Sequence, residues 1–492
     1  MPIFHEGFVR PEHRRLILWA AILAAAMGFI DGTVVAIAVP AMRVSLEAGL
    51  TQVQWINNAY MLTLSSLVLV GGAFGDRFGL ARVFGLGIAL FMAASLVCAL
   101  APTASVLIAA RLVQGVGAGF MVPGSLAVVS RAYPRELRSA AIGSWAASSA
   151  ITTAAGPLIG AGLLSAGGPE MWRWIFAINL PLGAVSLILL YLYIHEDRSQ
   201  PEKGIDVPGI LLAILGLGCV SWALTGAVRS GWPPAPWLFA AAGVVFLVLF
   251  LIVERRSISP MLDLRLFRSR IFSAANAATF CLYFALSAVL FFLPMTVIAG
   301  WGVSEIEASM AFAPLSLFIA LLSRRMGRLG DRIGAGRLVA LGAAIVAAGF
   351  AILGYVIHAE AFWTQVLPAM AVMGFGMSLV VAPLSSAVMG SVEPHETGSA
   401  SGVNNAVSRM AGLVSVAAMG SLAAYAYRLA GGTRDFGETA NAAGHVAATN
   451  TGFAAVAYFV AGLSLLSALI ALVGMRGAVL PKDQGTSSST IR

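Results

Sequence analysis

Long apolar runs separated by short polar gaps set the organisation of this chain. The runs are continuous, not alternating, which argues for helices and against the strands of an outer-membrane barrel. Fourteen are long enough to cross a bilayer, which takes about 20 apolar residues in a helix. The predicted spans are 16–38, 53–73, 82–101, 105–128, 139–163, 172–194, 205–226, 235–254, 271–299, 305–323, 337–357, 362–388, 399–425 and 450–474. An even number of crossings puts both termini on one face.

One polar gap occurs twice. Gly72-Ala-Phe-Gly-Asp76-Arg77-Phe-Gly79 is followed by Arg82, and Gly327-Arg-Leu-Gly-Asp331-Arg332-Ile-Gly334 is followed by Arg337. The Gly, Asp, Arg, Gly and trailing Arg keep their offsets, which reads as an internal duplication. Each copy follows the second helix of a six-helix block. The expected division is therefore a first half over 1–195, a second half over 271–475, a connection over 196–270 with two extra spans, and a disordered tail over 476–492. The two extra spans are expected to pack on the outside of the bundle.

Composition supports a membrane protein: 59% of the 492 residues are hydrophobic and 11% are charged. A soluble protein carries about 25% charged residues. The net charge of +8 reflects topology and not a nucleic-acid partner. Of the 30 Lys and Arg residues, 23 fall on the face with the termini, five on the other face, and two, Arg111 and Arg409, inside spans. Positive charge marks the cytoplasmic side, so the termini are expected there. The five arginines between Glu254 and Arg270 are expected to lie along the lipid surface. Cys98, Cys219 and Cys281 sit in apolar runs without metal spacing and read as packing residues. No metal cluster, phosphate-cradling Gly-rich loop or Ser–His–Asp pattern stands out, so neither an enzyme nor a cofactor is expected.

An ionisable group within the membrane is costly and draws attention to function. Asp31 lies past the midpoint of the first span. Burial favours the neutral acid and a nearby cation favours the carboxylate, so an acid held between the two can exchange a proton for a cationic ligand. The alternative is a structural carboxylate paired with an arginine. In the fourth span Arg111, Gln114, Gly115 and Ala118 share one face, which suits a polar cavity wall or, alternatively, an arginine satisfying broken backbone. In the thirteenth, Gly398, Gly402, Asn405, Arg409 and Gly412 form one stripe that should turn Arg409 inward, unless it snorkels to the surface. Gly156 and Pro157 in the fifth span favour close contact and a bend. Met370, Met373 and Met377 share a face of the twelfth span and either line an adaptable binding surface or fill the core.

These residues, in this order, resemble the major facilitator superfamily, and more narrowly its fourteen-helix drug/proton antiporters. The Gly72 and Gly327 stretches match the family's loop signature, Arg111–Gly119 its fourth-helix signature, and Gly156–Gly160 its antiporter signature. Ile30–Pro40, Trp55–Tyr60 and Trp172–Gly183 match signatures of the fourteen-helix branch. The resemblance implies two halves rocking about a central site. It also implies proton coupling through Asp31 and Arg111, and substrate contact by Asn58, Gln114, Met373, Met377, Asn405 and Arg409. Gly72, Asp76, Arg77, Gly156, Pro157, Asp331 and Arg332 would serve as latch and hinge. Some relatives carry an acid where Asn58 stands; without it Asp31 is the single acid well inside a span, and a monovalent or weakly charged cargo is implied.

The expected function is thus proton-coupled efflux of lipophilic, mostly monovalent cationic compounds from a bacterium, across the cytoplasmic (inner) membrane. The expected partners are such a small molecule, protons and membrane lipid, with the chain acting as a monomer. Transport of a lipid, secreted metabolite or nutrient is the first alternative, and a non-transporting sensor is the second.

Overall fold

The computed structural model describes residues 8–194, 204–226, 235–257, 260–393, 396–440 and 442–476. The tail expected to be disordered lies outside the described residues from 477 onward. Among the described residues the chain is all-helical. The first half contains α1 (Arg14–Ser45), α2 (Leu50–Leu67), α3 (Gly71–Phe78), α4 (Leu80–Leu100), α5 (Ala104–Ala132), α6 (Arg135–Gly167), α7 (Trp172–Ala177) and α8 (Asn179–Tyr193). The connection contributes α9 (Val207–Gly226) and α10 (Ala235–Arg256). The second half contains α11 (Arg270–Pro294), α12 (Glu305–Met310), α13 (Ala313–Ile333), α14 (Ala335–Val356), α15 (Leu367–Gly390), α16 (Thr397–Leu429) and α17 (Ala443–Gly474). Among the described residues, thirteen helical stretches are long and apolar enough to cross a membrane, and a fourteenth forms if α2 and α3 count as one span bent by 54°.

The duplicated stretches differ from the polar gaps they resemble in sequence. Each is helical to its end, as α3 and as the last turns of α13. The helix stops only at Gly79 and Gly334, whose φ values of 102° and 96° belong to the left-handed region that favours glycine. Eight residues beyond each of them, a second glycine recurs. A Cβ on Gly87 would lie 3.0 Å from Gly117 O, and one on Gly342 would lie 2.7 Å from Gly376 O. Backbone therefore meets backbone where α4 crosses α5 and again where α14 crosses α15, so the duplication extends into packing. Without a hydrophobic drive between helices in lipid, this close approach supplies much of the cohesion.

The halves meet on the face away from the termini. Arg43, at the end of α1, donates to Phe436 O at 2.7 Å, and Gln54, near the start of α2, donates to Val416 O at 2.5 Å. α12 packs on the end of α6 nearby. Towards the terminal face α6 and α13 expose much of their length. The described state is thus closed on one face, and the halves part towards the other.

The connecting hairpin is only half peripheral, contrary to expectation. α10 packs mainly on α9, but α9 lies across the seam between α2 and α16. Leu217 joins Leu62 and Leu413 in one buried cluster, Trp222 stacks beside Trp55 at 5.8 Å, and Ser421 Oγ bonds Leu224 O. The apolar outer face of α9 reads like any lipid-facing surface, so the sequence carried no sign of this contact.

A Cβ on Gly117 would fall 2.6 Å from Phe91 N, whereas one on Gly72 would meet nothing within 4 Å. Gly117→Ala should cost about 1–3 kcal/mol as overpacking. Gly72→Ala should stay within about 0.5 kcal/mol of wild type. Thermal unfolding of the purified variants in detergent checks both.

Candidate functional site

Asp31 stands in the middle of α1 and is 1% exposed. Burying a charge in an apolar interior demands a partner, and Arg111 of α5 supplies it: Nη1 lies 2.5 Å from Asp31 Oδ2. The other carboxylate oxygen accepts from Gln114 Nε2 at 3.1 Å. Arg111 also donates to Gln114 Oε1 at 2.7 Å and, through Nε, to Ile56 O at 3.1 Å. Its guanidinium carbon stands 4.2 Å from the centroid of the Tyr60 ring and 5.6 Å from that of Phe176. One turn of α5 separates Arg111 from Gln114, which lets both reach the same carboxylate.

The network continues away from α1. Gln114 Nε2 donates to Ser95 Oγ at 2.9 Å, and Asn179 Nδ2 donates to the same hydroxyl at 3.3 Å. The Cys98 thiol donates to Gln114 Oε1 at 3.7 Å. Asn179 Oδ1 accepts no hydrogen bond among the described residues. Five stretches thus converge on one carboxylate: α1, α2, α4, α5 and the α7–α8 span. All belong to the first half, so the ion pair is sealed inside that half and does not line the seam.

The next residue of α1 faces differently. Successive helical residues point about 100° apart. A Cβ on Gly32 would lie 3.9 Å from Arg409 Nη1, so the second half presents an arginine to the other side of α1. The stripe on α16 turns inward only in part: Gly402 faces Leu69 and Gly412 faces Ser287, whereas Gly398 meets nothing within 4 Å and Asn405 is exposed. The Gly156–Gly160 stretch of α6 packs on the same part of α1. Gly156 sits against Thr33 and Ile30 O, and Gly160 against Val34. Pro157 lies between those two contacts, inside an unbroken α6.

Other expected residues are placed elsewhere. Asn405 is exposed and donates to Ser401 O at 3.1 Å, while its neighbour Asn404 makes the cross-helix bonds, to Asn276 Oδ1 at 3.2 Å and Thr279 Oγ1 at 2.9 Å. Met373 and Met377 are 0% and 1% exposed in the core of the second half. A Cβ on Gly349 of α14 would lie 2.8 Å from Met373 N, so this face of α15 is taken up by helix packing. Asn58 is fully buried, and its Nδ2 has no partner. Asp76, Asp331 and Arg332 are exposed on the terminal face, with Arg77 beside Phe78. Ser95 and Asn179 were given no role by the sequence reading. Asn179 falls inside a quoted signature, but Ser95 had no signal in its apolar run.

Removing Arg111 alone strands a buried carboxylate. Arg111→Met should cost about 3–5 kcal/mol, and adding Asp31→Leu should recover most of it. A double-mutant cycle by thermal unfolding in detergent reads the coupling.

The Major Facilitator Superfamily model matches residues 21–416. The methylenomycin A resistance protein of Streptomyces coelicolor is 35% identical, over 81% of this chain and 84% of its own. The multidrug resistance protein Stp of Mycobacterium tuberculosis (strain CDC 1551 / Oshkosh) is 32% identical, over 83% of this chain and 76% of its own. Among solved structures, an inward-facing bacterial homologue of the lysosomal transporter Spinster superposes with a TM-score of 0.65 at 17% identity, covering 95% of this chain and 98% of that one. A D-xylose–proton symporter gives a TM-score of 0.64 at 14% identity, over 94% and 98%. With a family model across most of the chain and relatives above 30% identity, this chain belongs to the Major Facilitator Superfamily of membrane transporters.

Proposed function

We propose that this transporter exports lipophilic small molecules, monovalent cations among them, in exchange for protons. The observation that carries this reading is the sealed Asp31–Arg111–Gln114 cluster, which holds a carboxylate well inside the membrane with both oxygens engaged. Protonating Asp31 cancels its attraction for Arg111 and loosens α1 from α5. α1 also contacts α11 and α12 of the other half, so a change in its hold on α5 bears on the seam. Alternating access then follows if the halves part on the opposite face when the cluster changes its proton. Relatives named for methylenomycin A resistance, actinorhodin transport and tetracenomycin C resistance and export support outward movement of small molecules.

The terminal face is taken as cytoplasmic, from its excess of Lys and Arg, in the cytoplasmic (inner) membrane of a bacterium. Gly72, Asp76 and Arg77, with Asp331 and Arg332 as the second copy, would latch that face. Gly156 and Pro157 would let α6 follow α1. Asn58 and Arg409 are the polar groups proposed to meet the cargo.

A second reading concerns cargo charge. Arg111 already neutralises Asp31, and Arg409 adds a positive charge across α1. That balance favours neutral or anionic compounds over cations.

Proteoliposomes with a trapped proton gradient and an internal pH dye distinguish these readings. Adding ethidium should trigger proton efflux in wild type and none in Asp31→Asn. Equal efflux in both would remove Asp31 from coupling. A response to an anionic dye but not to ethidium would favour the second reading.

A further inference from the structure

The base of the α9–α10 hairpin carries two carboxylates that the proton-coupling reading does not use. Asp206 immediately precedes α9, and Glu254 lies in the last turn of α10. They are 6% and 3% exposed. The two side chains adjoin: a Cβ on Gly209 would lie 2.9 Å from both Asp206 Cγ and Glu254 Oε1. Each has one oxygen satisfied by backbone, Asp206 Oδ1 by Gly209 N at 2.8 Å and Glu254 Oε2 by Leu262 N at 3.0 Å. Each has one buried oxygen with no partner, Asp206 Oδ2 and Glu254 Oε1.

Two adjacent buried carboxylates do not both ionise without a counter-charge. Among the described residues, neighbouring charges do not supply one. Arg255 and Arg256 are exposed, and Asp263 is engaged with Arg265 at 2.9 Å. The packed face of α2 and α3 is apolar there, with Leu67, Val70 and Phe74 against Ile205, Ile210 and Met261, and Asp76 and Arg77 lie further along α3. We propose that Asp206 and Glu254 form a proton-binding site outside the central cluster, holding one proton between Oδ2 and Oε1. The proton is taken from water on the terminal face and returned to it.

The position gives the site a reach. Ile205 adjoins Asp206, and Met261 adjoins the Leu262 amide that Glu254 holds. Both pack on the bend between α2 and α3, just ahead of the Gly72–Gly79 stretch. Loss of the proton sets two negative charges against each other at this contact and strains the hairpin against the bend. The site thus reports terminal-face pH to the segment where the halves part.

The test uses the full chain purified in detergent, unfolded thermally at a series of pH values from about 5 to about 8. A folded chain that keeps a proton its unfolded form releases loses stability as pH rises through that window. Glu254→Gln imitates the protonated partner and removes the titration. Wild type should therefore lose at least about 2 °C of Tm relative to Glu254→Gln across the series. Asp206→Asn should behave likewise, which keeps the test open if one variant fails to fold. An infrared band of a protonated carboxyl group should be present in wild type at neutral pH and reduced in both variants. Parallel Tm curves with an unchanged band would overturn the proposal. A Tm at fixed pH that rises with added Na+ and loses this response in both variants would overturn it in favour of a metal cation.

Discussion

A buried charge needs a partner, and much of the first half is arranged around meeting that need for Asp31. The carboxylate lies where water cannot solvate it, so its two oxygens are shared between Arg111 and Gln114. Arg111 in turn needs more acceptors than one carboxylate offers, and it takes the Ile56 carbonyl and the Gln114 amide oxygen. Gln114 passes the demand on to Ser95, and Asn179 closes the chain. Four other spans are thereby fixed relative to α1 by polar geometry, while glycine contacts set how closely they approach. On the proposed coupling, a change in protonation at Asp31 would reach the whole arrangement, because every member is hydrogen-bonded to the next.

On the same proposal α1 would transmit that change, since it belongs to two environments. Asp31 faces the sealed cluster, and Gly32 faces Arg409 across the seam. Thr33 and Val34 receive the glycines of α6. A rotation or shift of α1 would therefore act on α5, α6 and α16 together. Among the described residues the second half is held on the face away from the termini by polar contacts from Arg43 and Gln54, and on the proposed mechanism these are bonds that an opposite-facing state would break. α9 adds a third party to the seam, packed against both α2 and α16.

Much of this was legible in the sequence, for physical reasons. The apolar runs gave fourteen crossings because lipid leaves a spanning backbone few options beyond the helix. Asp31, Arg111 and Gln114 were legible because polar groups are rare inside spans and must be there for a purpose. What was not legible depends on contacts far apart in the chain. Ser95 looks like one more small residue in an apolar helix, and only the fold brings it to Gln114 and Asn179. The bend between α2 and α3 carries no proline, and Gly71, not Gly72, makes the close approach there, with its Cβ position 2.8 Å from Pro123. The register of α16 was readable from its glycines, but Asn404, one residue from the expected Asn405, makes the cross-helix bonds. The methionine face of α15 read equally well as core or as cavity, and Gly349 decided it by bringing α14 against Met373.

The central claim is that Asp31, once it has taken up a proton in place of its pairing with Arg111, gives that proton up when cargo binds. Calorimetry of ethidium binding to the purified protein, repeated in buffers of different ionisation enthalpy, counts that proton directly. The account predicts proton release by wild type on binding and none by Asp31→Asn with binding retained. The same proton count in both proteins would contradict it.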